Sequence, residues 1–149
     1  MHKIKINDYL DPRLVVFLDA VSRDEAIKVL VEEVYKTGNL VDKQAFYDAI
    51  IEREQIVSTA IGMRVAIPHV KSPDFKQFFI AIGILRNGLD WNAIDGLPVR
   101  VIFLIGGPDN RQTEYLQILS SLTRAVKDEN IRKKMLTSNS ATDMVELFG

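Results

Sequence analysis

The chain has 149 residues, 47% of them apolar and 26% charged, with a net charge of −1, no cysteine and two histidines. Residues 1–149 read as one ordinary globular domain, and without a basic excess they do not read as a nucleic-acid binder. The lack of cysteine removes disulfides and thiolate chemistry, and two histidines as far apart as His2 and His69 do not suit a zinc site, so no metal is expected.

The N-terminal MHKIKINDYLDP has no apolar core of the signal-peptide kind. No apolar run approaches the ~20 residues that cross a bilayer, so a cytoplasmic protein without membrane insertion is expected. Leu14–Ala20 (LVVFLDA) is short, β-branched and aromatic, and predicts a strand. Ser22 then opens a capping box closed by Glu25. Ala26, Val29, Leu30, Glu33 and Val34 follow at helical spacing as far as Gly38, which stands where a C-cap belongs. Asp42 predicts the N-cap of a second helix that turns Phe46, Ile50 and Ile51 inward and ends near residues 54–56.

RVAIP (Arg64–Pro68) predicts a short strand stopped by its proline. FFIAIGIL (Phe78–Leu85) and VRVIFLIGG (Val99–Gly107) are apolar almost throughout, as strands covered on both faces are. Between them Asn87-Gly88 predicts a hairpin turn. Three helices are expected after that. The first spans Gln112–Val126 with Leu116, Leu119, Leu122 and Thr123 on one face, the second Glu129–Leu136, and the third follows Ser140. The run Arg132-Lys133-Lys134 reads as a solvated helix face. Strands interleaved with helices predict an α/β layered fold, and the hairpin makes its sheet mixed.

His69 stands at a strand end, where ligands bind in α/β sheets, and Pro68 holds the chain rigid just before it. No G-x-S-x-G elbow is present to supply a serine nucleophile. A lone histidine then has three readings: a polar residue bonded to a loop, a general acid–base, or an imidazole that itself takes up a transferable group. Phosphoryl is the natural group for an imidazole near neutral pH. Such a site would want hydroxyls, arginines and N–H groups around the phosphoryl oxygens. Arg53, Ser58, Thr59 and Arg64 lie close upstream. Each also has an ordinary reading, as a helix-end charge, as turn hydroxyls and as a strand-edge charge respectively.

The stretch Glu52–His69 (EREQIVSTAIGMRVAIPH) resembles the active-site signature of the fructose/mannitol-type enzyme IIA domains of the bacterial sugar phosphotransferase system, a family that includes the nitrogen-regulatory IIA proteins. Arg53-Glu54, Ser58-Thr59, Ile61-Gly62 and Val65-Ala66-Ile67-Pro68-His69 fall in register with that signature. The likeness continues through Gly88–Asp109, the EYLQILSS helices and the opening INDYLDP segment, and so covers almost the whole chain. The resemblance implies a mixed β-sheet flanked by helices on both faces. It also implies a phosphocarrier that needs no cofactor, with His69 as acceptor and Arg53, Ser58, Thr59, Arg64 and Tyr115 around the phosphoryl group. An HPr-type phosphocarrier protein would be the donor, and an enzyme IIB or a regulated partner protein the recipient.

Three departures from the signature stand out. Arg64 replaces the second glycine of a G-x-G, Val70 replaces a small residue, and Glu114-Tyr115-Leu116 carries tyrosine where the family has a second histidine. Arginine is not expected to adopt the positive φ that glycine allows, and Arg64 is expected either to offset the charge Tyr115 lacks or to narrow access to His69. Val70, Ile61 and Phe75 are candidates for a shallow apolar collar facing the carrier. With no IIB or membrane portion in the sequence, a regulatory member is favoured over a sugar-specific one. The competing reading is a non-catalytic binding module with a degenerate site.

Overall fold

The two long apolar runs pair with each other at the middle of one mixed sheet. In the computed structural model, which describes residues 4–149 and so leaves His2 outside the described residues, β5 (Phe79–Leu89) and β6 (Val99–Gly107) run antiparallel. The edge strand β1 (Val15–Leu18) lies parallel to β5. On the far side of β6 come β3 (Val65–Ala66) and then β2 (Ala60–Gly62), while β4 (His69–Lys71) also pairs with β6. Both β3 and β4 run parallel to β6.

Alternation along the central strands splits the core in two. Phe79, Ala81 and Leu85 of β5 and Ile102 and Leu104 of β6 face one side. Ile80, Ile82, Ile84, Val101, Phe103 and Ile105 face the other. Helices α1 (Arg23–Lys36) and α2 (Lys43–Ile56) cover the first side with Ile27, Leu30, Val34, Phe46 and Ile50. Helices α3 (Gln112–Lys127), α4 (Glu129–Thr137) and α5 (Ala141–Glu146) cover the second with Ile118, Leu122, Val126, Met135 and Met144. Burial on both faces is why these strands read as unbroken apolar runs. The expected mixed sheet with helices on both faces is the observed one.

The caps are where the sequence places them. Ser22 Oγ accepts from the Glu25 N–H at 3.2 Å, and Glu25 Oε2 in turn accepts from the Val21 N–H. Asp42 accepts from the Ala45 N–H at 3.0 Å. Gly38 ends α1 with a φ of +84°, the left-handed step that favours glycine.

Other expectations need correcting. The buried stripe of α1 uses Ile27 and Val31, while Val29 and Glu33 are only half-buried. In α3 the inward face is Tyr115, Ile118, Leu122 and Val126, and Leu116 is 52% exposed. That rotation by one position aims Tyr115 toward His69. Asn87-Gly88 is not a turn: β5 continues to Leu89, and the chain reverses over residues 90–98. Gly88 serves close approach instead, since a Cβ there would lie 2.5 Å from Cβ of Pro98. Arg132 is not wholly solvated either, because its Nη1 donates to the Val126 carbonyl at 2.7 Å and so satisfies the end of α3.

Candidate functional site

His69 owes its position to a break in a strand. The chain runs along β6 as β3, is interrupted at Ile67-Pro68, and resumes as β4. Pro68 has no N–H to give, but its carbonyl accepts from the Ile105 N–H at 2.9 Å. Strand alternation keeps Val65 and Ile67 in the core beneath α3, so His69 and Lys71 project on that same side. There they meet Tyr115. The His69 and Tyr115 rings are 5.7 Å apart, and Lys71 Nζ lies 4.5 Å from the centre of the Tyr115 ring. Lys71 Nζ also donates to Gln112 Oε1 at 2.6 Å. Tyr115 is backed by the stacked ring of Phe78 at 6.0 Å. Gly107 makes room for that ring, because a Cβ there would come within 1.9 Å of it.

The imidazole is held in one tautomer. His69 Nδ1 lies 2.7 Å from the Ile67 carbonyl oxygen. A carbonyl only accepts, so Nδ1 carries the proton and Nε2 keeps its lone pair. Burial pushes the His69 pKa below the ordinary histidine value. The Ile67 carbonyl opposes the shift, Arg53 adds to it, Glu54 opposes it and Lys71 adds to it. The net result is a neutral, nucleophilic ring at neutral pH.

Arg53 stands in the last turn of α2, where its Nη1 donates to the Val57 carbonyl at 2.9 Å. Its charge acts on both His69 and Tyr115. Burial pushes the Tyr115 hydroxyl up to about 12, with Arg53 pulling the other way. Tyr115 therefore stays a neutral donor.

Next to Arg53, Glu54 is only 3% exposed. It accepts from the Thr59 N–H at 3.1 Å and from the Thr59 hydroxyl. Ser58 Oγ donates to the Trp91 carbonyl at 2.6 Å and accepts from the Ala60 N–H at 3.2 Å. The two hydroxyls thus spend their protons on Glu54 and Trp91.

Arg64 corrects an expectation. It and Met63 have φ of 67° and 57°, and they are the two central residues of the tight hairpin in which Gly62 pairs with Val65. Arginine here does adopt the left-handed conformation that glycine would supply. Asp95 steadies the turn by accepting from the Met63 N–H at 2.8 Å and from the Leu97 N–H at 3.1 Å. These bonds hold the Asp95 carboxyl below the usual range, with the nearby charge of Arg64 contributing.

The structure therefore gathers His69, Arg53 and Tyr115, and adds Lys71, which the sequence reading missed. The signal was available, since residues two apart on a strand share a face. Ser58 and Thr59 are tied into the supporting loop, and Arg64 sits on the hairpin beside Asp95. Of the collar candidates, Ile61 is exposed, while Val70 and Phe75 line a cavity of about 360 Å³ against α2. Among the described residues no cluster of His, Asp and Glu could hold a metal ion, and no helix is long and apolar enough to cross a membrane.

Comparison with known proteins gives a consistent picture. Residues 8–149 match the family described as "Phosphoenolpyruvate-dependent sugar phosphotransferase system, EIIA 2". The chain is 31% identical over 147 residues to the PTS system fructose-specific EIIABC component of Bacillus subtilis, covering 99% of this chain but 22% of that protein's length. It is 30% identical to a nitrogen regulatory protein of Bradyrhizobium diazoefficiens, covering 91% of this chain and 89% of the relative. The crystal structure of nitrogen regulatory protein IIA-Ntr from Neisseria meningitidis superposes with a TM-score of 0.91 at 26% identity, over 97% of this chain and 99% of that one. The IIAMtl–phosphorylated IIBMtl complex of Escherichia coli supplies a second similar fold, with a TM-score of 0.78 at 22% identity over 93% of this chain and 96% of that one.

Proposed function

The chain belongs to the EIIA 2 family of the phosphoenolpyruvate-dependent sugar phosphotransferase system, and from that premise we propose that it accepts a phosphoryl group at Nε2 of His69 from the phosphohistidine of an HPr-type carrier protein. The observation that carries this reading is the 2.7 Å contact between His69 Nδ1 and the Ile67 carbonyl. It leaves the other ring nitrogen as a free nucleophile.

In the transfer, the Nε2 lone pair attacks phosphorus, the donor's N–P bond breaks, and the electron pair of that bond stays on the donor imidazole. Positive charge develops on the His69 ring as Nε2 is substituted. The Ile67 carbonyl, which already holds the Nδ1 proton, stabilises that charge. Arg53 and Lys71 serve both sides of the reaction: their charges add to the burial that keeps the ring unprotonated beforehand, and they favour the phosphoryl oxygens afterwards. Tyr115 contributes a neutral donor. Thr59 acts through Glu54, Ser58 through the Trp91 loop, and Arg64 through the hairpin. Phosphoryl transfer needs positioning and charge more than covalent help, and no cofactor enters the scheme.

The group then passes to a cysteine thiolate of an enzyme IIB, forming S–P as N–P breaks, or it is retained as a signal to a regulated partner. Both encounters belong in the cytoplasm and are brief, as befits a relay. Val70 and Phe75 would offer the carrier an apolar footing beside His69. A pure binding module is the weaker reading. Its support was the loss of consensus residues at Arg64 and Tyr115, yet Arg64 keeps the turn and Lys71 supplies a cation beside Tyr115.

Incubation with phosphoenolpyruvate, enzyme I and the HPr-type carrier should add one acid-labile phosphoryl group to the intact protein, and His69→Ala should abolish it. No gain in mass with carriers proven active would overturn the relay and leave the binding module standing.

A further inference from the structure

At the end of the sheet away from His69, β5 and β6 lose register. Ile84 pairs with Val101 and Leu89 with Val99, so Leu85, Arg86, Asn87 and Gly88 stand opposite Arg100 alone. Such bulges re-aim side chains and recur beside functional sites. Here Arg100 lies back across the bulge, its Nε donating to the Leu85 carbonyl at 3.3 Å. Its stem passes the bare side of Gly88, with Cγ 3.7 Å from where a Cβ would stand. Arg86 follows directly and is exposed.

Arg86 and Arg100 both line a cavity of about 440 Å³, together with Phe17, with Thr137 at the end of α4, and with Ser138 and Asn139 of the connection to α5. This is within the size of small-molecule sites. No carboxylate lines it, and among the described residues neither arginine forms a salt bridge. Two arginines on one cavity without a counter-charge favour an anion, and the planar fork of a guanidinium matches phosphate oxygens. Phe17, 36% exposed although aromatic, gives the cavity an apolar wall. The parallel strands β1 and β5 both run toward this end, and ligands favour the carboxyl ends of parallel strands.

We infer that this cleft is a second ligand site, one that takes a small phosphomonoester: its phosphate lies between Arg86 and Arg100, Ser138 and Asn139 bond its edge, and its apolar body rests on Phe17. The site is separate from the relay centre. His69 pairs with Ile105 of β6, and the strand rise of ~3.3 Å per residue puts Arg100 about 17 Å away along the strand.

The test uses the full chain, with amide shifts followed by NMR while three probes are added: inorganic phosphate, adenosine 5′-monophosphate (a phosphomonoester with a flat ring) and adenosine. The monophosphate should bind saturably and more tightly than either fragment, with shifts centred on residues 84–86 and 136–139. Arg86→Gln should weaken it about tenfold or more. Phe17→Leu should weaken the monophosphate but not inorganic phosphate, and His69→Ala should change neither. The inference is overturned by shifts centred on His69, by an Arg86→Gln affinity equal to that of the parent, or by phosphate binding as well as the monophosphate with Phe17→Leu silent. Arg86→Gln should still accept phosphoryl on His69 at the parent rate, so failure here is distinct from failure of the relay.

Discussion

At its carboxyl end β6 lies beside His69, where the polar groups are bonded to one another: the imidazole to the Ile67 carbonyl, Glu54 to Thr59, Arg53 to Val57 and Lys71 to Gln112. At its amino end Arg100 and Arg86 share an open cleft without any carboxylate. In the first region buried Glu54 offsets part of the cationic charge, and the backbone imposes a single tautomer. In the second, positive charge is left for solvent or a ligand to satisfy. On the proposed readings, a centre that holds one reacting atom in place is built from internal bonds, whereas a centre that captures an anion spends only the Arg100 Nε on the Leu85 carbonyl and carries no carboxylate to neutralise its charge.

The widest separation between the two ends should come from their arginines. Arg53→Met removes a charge that acts on both His69 and Tyr115. Loss of one donor to a transferring group costs about 100-fold in rate, so phosphoryl uptake on His69, followed by intact mass against time, should fall by that order. Folding should survive, because the one side-chain bond lost is to an exposed helix-end carbonyl. Equal rates in Arg53→Met and the parent would remove the distinction between the ends.

A smaller effect separates them by pH. The His69 pKa is lowered in the fold from its ordinary 6.5, so at pH values just below 6.5 the unfolded chain binds a proton that the native imidazole refuses. Stability from this group is fully present above 6.5 and declines as pH falls toward the folded value. The acid limb of phosphoryl uptake should accordingly lie below 6.5, and in Lys71→Gln it should move up toward 6.5, on top of the fall in plateau rate that loss of this cation brings. Uptake measured from about pH 5 to 8 decides this, and a limb at or above 6.5 in the parent contradicts the buried, cation-flanked imidazole. Phosphomonoester binding in the Arg86–Arg100 cleft should show no such limb from His69.

Legibility in the sequence followed how local each cause is. Caps at Ser22 and Asp42 were readable because the bonding partners lie within three residues. The central strands were readable because burial on both faces leaves an unbroken apolar run. Asn87-Gly88 misled because the pair signals a turn only where the flanking strands share a two-residue register, and here Pro98 occupies the space beside Gly88. Strands β2 and β4 have three residues each, too few to show alternation. Of the site itself, His69 and the upstream Arg53 are readable from chemistry and spacing, and Tyr115 from the resemblance. Lys71 and the role of Glu54 are not, since one depends on strand parity at the very start of β4 and the other on a loop folding back over a helix end. Arg86 and Arg100 were invisible, because a four-against-one bulge has no sequence signature.

Arg64 supports the smallest and cleanest test. Gly62, Met63 and Arg64 take φ of 86°, 57° and 67° in succession, a run that costs a non-glycine residue about 1 kcal/mol or more at each position. The turn persists because its surroundings hold it: Asp95 takes the Met63 N–H, and the Arg64 carbonyl accepts from the Arg100 N–H at 2.9 Å and the Val101 N–H at 3.1 Å. Arg64→Gly keeps those backbone bonds and relieves one strained residue, so the urea midpoint should rise by an amount worth about 1 kcal/mol, while phosphoryl uptake changes little. A large loss of uptake with unchanged stability would place the Arg64 guanidinium on the phosphoryl group after all. A gain in stability alone would mean that the arginine stands where glycine is easiest, and that the charge opposite Tyr115 comes from Lys71.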